Sequence, residues 1–542
     1  MKLVKVIEMR IIEEEANQSG LSSSTMMENA GHALASEIQL LAHPENDDRE
    51  VIGLVGSGNN GGDTLIALAH LVADGWRGRA YLINRDPNND ELIERFKKEG
   101  GEIILAEADL QYDNLSAFIS TADVVVDGVL GTGLKLPLKD SVAKVLEAVN
   151  RAIAELIWPP YVVAVDCPSG INCDTGEAAD EVIPASLTVC MGAVKEGLLK
   201  FPAFDLVGEL KVVYIGFDEK LSSFKSVNHF VADSEMVEDI LPLRQSDSHK
   251  GTFGTALIVA GSINFVGAPL LAGKAAYRVG TGLVQLAVPG TIQVAIAGAL
   301  PEATWIILPQ EMGVISESGA QTLLKNLDRA TAVLIGPGLG TEDTTRLFFE
   351  SFIKGKLNSK KVTSQIGFAK REEETSIDPS PQIPSMVIDA DGLRLLSRVE
   401  KWHKLLPKDS ILTPHPGEMA VLTGLAKEAI QADRLGISLR YSAEWGQIVV
   451  LKGAITIIAS PDGRATLIPI ATPALAKAGT GDVLAGIIVG LLAQGVISYD
   501  AAVAGAWIHA QSGLFASEKV GSDASVLATD VINAIADVLS SF

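Results

Sequence analysis

Two glycine-rich segments, each ending on an aspartate, lie in opposite halves of the chain and could do chemistry on a phosphate-bearing ligand. They are GSGNNGGD at 56–63 and AGTGD at 478–482. Each segment leads into an apolar helical pattern, so its free backbone N–H groups and the helix dipole can hold a phosphate. The sequence therefore predicts two separate sites for nucleotide-like ligands.

Further acids and amides stand near the first loop. Asp127 ends the run DVVVD just before GTG, and Asp166 ends YVVAVD just before CPSG. Asn59 and Asn60 bring amide groups to a glycine turn, which suits both phosphate contacts and an oxygen-coordinated cation. Taken singly, these residues are also typical of Asx turns and helix caps.

The elements that must position these residues follow an α/β pattern. Apolar, strand-like runs alternate with helical ones in the first half, at 51–55, 79–83, 123–129 and 161–166, and a second series restarts at 255–261. Strands apolar throughout are expected when helices cover both faces of a parallel sheet. The loops at their carboxyl ends would then meet in one crevice. Helices are predicted at about 268–279, 482–494, 499–518 and 527–540.

Composition sets limits on the function. The 542 residues exceed what one core usually supports, so we expect two large domains, or three. A net charge of −23 repels nucleic acids, and we expect no such partner. Three cysteines without C-x-x-C spacing argue against disulfides and zinc and favour a reducing cytoplasm. The amino terminus lacks the apolar centre of a signal peptide, and the apolar run 483–497 is shorter than the ~20 residues that cross a bilayer, so no membrane contact is expected.

The first half resembles the NAD(P)H-hydrate epimerase family through MMENAG at 26–31, NNGGD at 59–63, GTG at 131–133, DCPSG at 166–170 and GAVKEG at 192–197. The resemblance implies a Rossmann-like domain over 1–222 that interconverts the R and S forms of hydrated NADH and NADPH. It implies Asp166 as the catalytic proton carrier. It also implies potassium held by Asn60, Asp127 and Ser169, an oxygen set suited to a weakly charged cation. The implied substrate contacts are Asn59, Asn60, Gly61, Gly62, Asp63, Gly131, Thr132, Gly133, Leu134, Lys135, Leu136, Pro137, Asp166 and Lys195. Lys195 is either an orienting group or one half of a surface ion pair, and Cys167 is expected to be a buried small hydrophobe.

The second half resembles the ADP-dependent NAD(P)H-hydrate dehydratases of the ribokinase-like superfamily. The matching segments are HKGTFG at 249–254, GAPLLAGKAAYRVGTGLV at 267–284, GPGLG at 336–340, DADGL at 389–393, TPHPGEM at 413–419, LKGAIT at 451–456 and AGTGDVLAGI at 478–487. The resemblance covers 245–542 and implies that Asp482 is the base for phosphoryl transfer from ADP, with Mg²⁺ bridging the phosphates. The implied hydrate contacts are Gly338, His415, Pro416, Gly417, Glu418, Met419, Ala420, Val421 and Asp482. The implied ADP contacts are Lys452, Gly453, Ala454, Ile455, Thr456, Thr472, Pro473, Ala474, Leu475, Ala476, Lys477, Ala478, Gly479, Thr480 and Gly481.

Together the halves resemble the bifunctional NAD(P)H-hydrate repair enzymes, with a linker at 223–244. One segment departs from that family. ATPALAK at 471–477 stands where the family usually has a Gly-Asn pair and a further glycine. Loss of glycine restricts how closely backbone approaches a phosphate, so ADP and ATP both stay open.

Residues 358–385, rich in Lys, Ser, Glu and Pro, predict an exposed insertion. A homo-oligomer is expected. The rival interpretation is an ADP- or ATP-dependent kinase of a small metabolite, fused to a non-catalytic Rossmann-like interaction domain.

Overall fold

The computed structural model describes residues 1–41, 48–355 and 382–542 of the chain. These form two compact units, Met1–His229 and Phe230–Phe542. Most of the predicted insertion at 358–385 lies outside the described residues. The segment 223–244, expected as a linker, contains part of a helix at Ser222–Ser226, a strand at His229–Val231 and a helix at Ser234–Ile240.

The first unit is built on a seven-stranded sheet in which every neighbouring pair is parallel. Apolar residues alternate between its two faces: Val51 and Val55 enter one core, Ile52 and Leu54 the other. In sheet order the strands are Glu102–Leu105, Arg77–Leu82, Glu50–Val55, Val124–Gly128, Tyr161–Val165, Leu187–Met191 and Glu209–Val213. Leu3–Val4 pairs separately with Val194–Lys195. The helices are Val6–Gln18, Ser23–Leu41, Asn59–Ala73, Glu91–Lys98, Asp113–Ile119, Asp140–Ala154 and Ser222–Ser226.

The second unit has a ten-stranded sheet that is parallel from Ile448–Leu451 to Thr304–Leu308 and continues as an antiparallel hairpin at the other edge. Its order is His229–Val231, Ala465–Leu467, Ile457–Ala459, Ile448–Leu451, Ile411–Leu412, Ser385–Ile388, Ala332–Ile335, Thr255–Val259, Leu283–Pro289 and Thr304–Leu308. Gln310–Glu311 and Val314–Ile315 form a separate pair. The helices are Ser234–Ile240, Ala268–Arg278, Gly290–Ile296, Gly319–Leu324, Asp343–Ile353, Asp391–Leu396, Pro416–Thr423, Lys427–Ala432, Arg434–Trp445, Thr480–Ala493, Ser498–Val520 and Ala528–Ser540.

Apolar residues of the second sheet also enter a core on each face, Ala256 and Ile258 on one and Leu257 and Val259 on the other. Both units are therefore three-layer α/β structures, which confirms the predicted fold class.

Each sheet reverses its strand order once. In the first unit the chain runs outward from Glu50–Val55 in one direction and resumes at Val124–Gly128 on the other side. The second unit reverses in the same way between Thr255–Val259 and Ala332–Ile335. Open α/β sheets bind ligands in the crevice at the carboxyl ends of the strands beside such a reversal. The topology thus marks one crevice in each unit, and the motif loops lie at both.

The apolar run after AGTGD is the buried helix expected from its sequence. Residues from Val483 to Ala493 of the helix Thr480–Ala493 are all buried. Gly486 lets this helix touch Ala268–Arg278, because a Cβ there would lie 2.4 Å from the Ala272 carbonyl oxygen. None of the helices in the described parts of the chain is both long and apolar enough to cross a membrane.

Candidate active sites

A cavity of about 1330 Å³ opens at the strand reversal of the first unit. Its walls come from the helix Val6–Gln18, the GSGNNGGD loop, the segment 129–135 and the end of the strand Tyr161–Val165. Ten of the residues expected to contact substrate line it, namely Asn59, Asn60, Asp63, Gly131, Thr132, Gly133, Leu134, Lys135, Asp166 and Lys195. Parts of the chain more than a hundred residues apart therefore meet in one space.

Four residues expected to contact substrate do not line this cavity. Gly61 and Gly62 are buried inside the first turn of the helix Asn59–Ala73. A Cβ on Gly61 would lie 2.0 Å from the Gly56 carbonyl oxygen, so this glycine permits the tight return of the loop. Leu136 and Pro137 lie between the lining residues Lys135 and Leu138 but do not line the cavity themselves.

Asp166 and Lys195 form a buried ion pair in the cavity wall. Lys195 Nζ donates to Asp166 Oδ1, and the backbone N–H of Met191 donates to the same oxygen at 2.9 Å. Lys195 is only 1% exposed. Burial alone would lower the pKa of Lys195, but the Asp166 carboxylate outweighs it and the pKa is raised, so the ammonium stays charged. Of the two alternatives for Lys195, the orienting role fits this geometry, since the pair is not on the surface.

Asp166 also has an uncommon backbone conformation. Its φ is +65°, in the left-handed region that side-chain-bearing residues rarely adopt. The conformation directs the carboxylate toward Met191 and Lys195. Strain of this kind persists where the surroundings require it, and it clusters at functional sites.

Two more carboxyl groups share the cavity with Asp166. Burial, reinforced by the charge of Asp166, raises the pKa of Asp63 well above its usual value. Burial likewise raises the pKa of Glu13, with Lys195 opposing the shift. Both shifts favour the protonated forms of Asp63 and Glu13, which limits the negative charge gathered around the Lys195 ammonium.

The three residues expected to hold potassium converge around Leu130. The Ser169 backbone N–H donates to Asp127 at 2.7 Å, and the Ser169 hydroxyl donates to the same carboxylate. The Leu130 N–H donates to Ser169 Oγ at 2.8 Å. Asn60 Nδ2 donates to the carbonyl oxygens of Leu130 and Val165. Rotation of the Asn60 amide by half a turn would point its oxygen toward these carbonyls instead. All the nearby acceptors are oxygens, as a monovalent cation site requires.

In the second unit, a partly buried ion pair joins two motifs at the carboxyl ends of the parallel strands. Lys452 Nζ, from LKGAIT, lies 2.7 Å from Asp389 Oδ1, from DADGL. Thr413 Oγ1 donates to the same oxygen at 2.7 Å, and Glu418 Oε2 lies 3.7 Å from Lys452 Nζ. Burial would lower the pKa of Lys452, but Asp389 and Glu418 outweigh it and raise the pKa. These carboxylates fix the Lys452 ammonium in place at the carboxyl ends of the parallel strands.

Asp482 stands in the first turn of the helix Thr480–Ala493, facing this network. Burial, together with the charges of Asp389 and Asp391, raises its pKa to about 7, while Lys452 opposes the shift. A carboxyl group with a pKa near the working pH is suited to accept a proton in the reaction step. This electrostatic setting agrees with the base role expected of Asp482.

The TPHPGEM segment forms a helix start whose cap is His415. The Nδ1 atom of His415 accepts from the backbone N–H groups of Gly417 at 2.9 Å and Glu418 at 3.3 Å. Burial is the main cause of the lowered pKa of His415, so the ring is neutral at pH 7. His415, Gly417, Glu418 and Val421 line a cavity of about 330 Å³.

Three other residues of the expected hydrate set are placed differently. Met419 packs its side chain, fully buried, in the core, so that side chain cannot face a ligand. Pro416 and Ala420 belong to the same helix but do not line the 330 Å³ cavity.

The expected ADP segments meet at the Lys452 ammonium. A Cβ on Gly481 would lie 3.8 Å from Lys452 Nζ. The segments 452–456 and 472–481 are therefore neighbours in the folded unit. Gly479, the residue before the helix, has a φ of +89° that favours glycine. Ala474 is fully buried and Ile455 nearly so, so these two side chains support the loops from behind.

Sequence reasoning missed several residues that the structure brings into the sites. Glu13 is on the amino-terminal helix, and Arg394 and Arg398 follow DADGL. Asp389 was part of a matching segment but was not singled out. Its position at the end of the strand Ser385–Ile388, followed by Ala390 with a φ of +52°, is the signal that could have identified it. The three cysteines are free and buried, as expected of Cys167.

Known protein families match both halves. The family described as NAD(P)H-hydrate dehydratase matches residues 256–537, and that described as YjeF-related protein N-terminus matches residues 23–197. A bifunctional NAD(P)H-hydrate repair enzyme from Moorella thermoacetica is 34% identical, with 99% of this chain and 97% of the relative covered. Its Escherichia coli counterpart is 31% identical, with coverages of 97% and 92%. A crystal structure of an ADP/ATP-dependent NAD(P)H-hydrate dehydratase from Bacillus subtilis, with ATP and Mg²⁺, is 29% identical over 58% of this chain and 99% of that one, at a TM-score of 0.47. The chain belongs to the family of bifunctional NAD(P)H-hydrate repair enzymes.

Proposed function

We propose that the first unit interconverts the R and S forms of hydrated NADH and NADPH, and that the second unit dehydrates the S form to NAD(P)H with ADP. The observation that carries the proposal is that both units place a charged reaction centre at the carboxyl ends of their parallel strands. The Asp166–Lys195 pair lies in the first crevice, and Asp482 faces the Asp389–Lys452 pair in the second. The alignment with a bifunctional relative covers nearly the full length of both chains, which supports both activities in one chain.

In the first site, Asp166 is the group that receives and returns a proton while the bond at the hydroxyl-bearing carbon breaks and re-forms. Lys195 and the Met191 N–H hold one of its oxygens, which leaves the other oxygen available for the substrate. The loop ahead of the helix Asn59–Ala73 would take the dinucleotide phosphates through its N–H groups.

Potassium fits the oxygen set around Leu130. Asp127 is completely buried, and no Lys or Arg among the described residues forms an ion pair with it. Burial is the largest influence on its carboxyl group and raises the pKa, although Ser169 opposes this through hydrogen bonds. One monovalent cation held by Asn60, Asp127 and Ser169 would neutralise that charge and fix the loops that receive the phosphates.

In the second site, Asp482 accepts the proton of the hydrate hydroxyl as its oxygen attacks the terminal phosphoryl group of ADP. The P–O bond to AMP breaks, and the hydroxyl becomes a phosphate ester. Loss of that phosphate, together with a proton from the adjacent ring carbon, forms the C=C bond of NAD(P)H, so AMP and inorganic phosphate are the other products. Lys452 stands beside Gly481 to offset the charge that develops on the phosphates. Magnesium bound to the ADP phosphates would supply further charge neutralisation.

Three buried, free cysteine thiols support work in a reducing compartment such as the cytoplasm. Homo-oligomerisation stays a prediction, which sedimentation of the full chain would test.

One assay tests the whole proposal. The protein is incubated with mixed R and S hydrate, ADP, magnesium and potassium, and the absorbance of the dihydronicotinamide is followed. Full recovery of both epimers, with equal amounts of AMP and phosphate, is expected. A stable phosphorylated product without NAD(P)H would instead identify the small-metabolite kinase, and tight RNA binding without turnover would favour an interaction module in the first unit.

A further inference from the structure

The 330 Å³ cavity beside the second site contains positive charge that the proposed chemistry does not use. Arg394, Ser397 and Arg398 form one wall, and the helix start at His415 forms the other. We propose that this cavity binds a phosphate group of the hydrated dinucleotide. The inference rests on the proposed function, since it assigns a contact to that substrate.

The two arginines are available to an anion. Among the residues that the structure describes, Arg394 has no ion-pair partner, and the hydrogen bond of the Arg398 side chain goes to a backbone carbonyl. The chain has 67 acidic residues and only 44 Lys and Arg, so two neighbouring arginines without a carboxylate partner are unexpected for a purely structural role. A guanidinium group offers planar N–H donors that match the oxygens of a phosphate.

The cavity lies between segments already expected to face the hydrate. Arg398 Nη1 donates to the Thr341 carbonyl at 3.3 Å, directly after the GPGLG loop that contains Gly338. The N–H of Gly340 donates to Asp391 Oδ2 at 3.0 Å, which ties the same loop to the start of the helix Asp391–Leu396. The wall formed by Arg394, Ser397 and Arg398 is thus held to the loop 336–340, and it faces the segment that begins at His415.

The opposite wall does not cancel this charge. The Glu418 carboxylate lines the cavity, but Oε2 accepts from the His415 N–H at 2.9 Å and lies 3.7 Å from Lys452 Nζ. The helix Pro416–Thr423 also presents its N-terminal end here, and its dipole favours an anion. Arg394 is close enough to His415 to influence its ring electrostatically, so the two walls face each other.

Size limits what the cavity can hold. At about 330 Å³ it is at the lower end of the range for small-molecule pockets, too small for a whole dinucleotide. One phosphate group at an end or bend of the substrate would fit. Both hydrates carry a pyrophosphate, and the NADPH form alone adds a 2′-phosphate, a group for which arginine is a common partner.

The test uses the full-length double variant Arg394→Gln/Arg398→Gln with purified S hydrates of NADH and of NADPH. Charge-assisted hydrogen bonds of the usual strength predict a rise in KM of about tenfold to a hundredfold, with kcat and the KM for ADP nearly unchanged. A rise for both hydrates would place the pyrophosphate in the cavity, and a rise for the NADPH hydrate alone would place the 2′-phosphate there. Unchanged KM values for both hydrates, or a rise confined to ADP, would overturn the proposal.

Arg329→Gln is the matched control. Arg329 is also exposed, but it precedes the strand Ala332–Ile335. It therefore lies at the amino ends of the parallel strands, whereas the site lies at their carboxyl ends. It should leave every constant unchanged. Fluorescence titration with NADPH and NADH provides a readout that needs no turnover, and the double variant should bind one or both more weakly. If the wild-type protein binds NADPH but does not dehydrate the hydrate, the proposed function is refuted. The comparison of wild type and double variant in this titration still shows whether the two arginines contact a phosphate.

Discussion

Replacing Asp482 by Asn should abolish dehydration and at the same time stabilise the second unit. Asn keeps the shape of the side chain but cannot accept the hydroxyl proton. Loss of a general base typically costs about 10² to 10⁴ in rate. Epimerisation should continue at the wild-type rate, because Asp166 and its cavity belong to the other unit.

The stability change follows from the raised pKa. Folding moves the pKa of Asp482 from its ordinary 3.8 to about 7, mainly through burial. The ionised carboxylate therefore destabilises the folded unit above pH 7, by about 4 kcal/mol at the limit. The cost falls between pH 7 and about pH 4 and vanishes below that, where the carboxyl group is protonated in both folded and unfolded chains. Asn never ionises, so the increase in the free energy of unfolding of the variant over the wild type should be largest at high pH.

Calorimetric unfolding of the full chain from pH 5 to pH 8 measures this effect. The transition that shifts when ADP is added belongs to the second unit. In the wild type, dehydration should also fall about tenfold per pH unit well below pH 7, as Asp482 becomes protonated.

Asp500→Asn is the matched control for this prediction. Burial also raises the pKa of Asp500, which lies in the first turn of the helix Ser498–Val520. That substitution should raise stability at high pH without slowing dehydration. The reasoning would be refuted if Asp482→Asn dehydrated S hydrate at a near-normal rate, or if its stability gain did not depend on pH.

Three further variants test the other assignments. Asp166→Asn should leave a racemic hydrate about half repaired while pure S hydrate is dehydrated normally, and rapid recovery of both epimers would contradict its role. Asp127→Ala should weaken epimerisation and remove its dependence on potassium, measured by titrating the ion; an unchanged potassium response would count against the ion set. Lys452→Met leaves Asp389 buried without its partner, which typically costs about 3–5 kcal/mol, so the second unit should unfold at lower temperature. Adding Asp389→Asn should restore much of that loss, and strictly additive losses would show that the pair is not coupled.

Local patterns were enough to predict much of the fold. The closing helices, expected at about 482–494, 499–518 and 527–540, lie at Thr480–Ala493, Ser498–Val520 and Ala528–Ser540. Apolar runs and glycine or aspartate at their ends are local features, and they set where an element begins and ends. The short strands Ile457–Ala459 and Ala465–Leu467 were not predicted, because three residues show no periodicity.

The sequence by itself determined which segments could bind a nucleotide, because the glycine loops and the acids at strand ends are motifs of consecutive residues. Only the tertiary structure decided the partners. Asp389 pairs with Lys452 across 63 positions, and Glu13 joins Asp166 from the amino-terminal helix. The pKa of Asp482 near 7 has the same origin, since it depends on burial and on carboxylates brought close by the sheet. Desolvation and Coulomb interactions act through space, so no spacing along the chain could have revealed them.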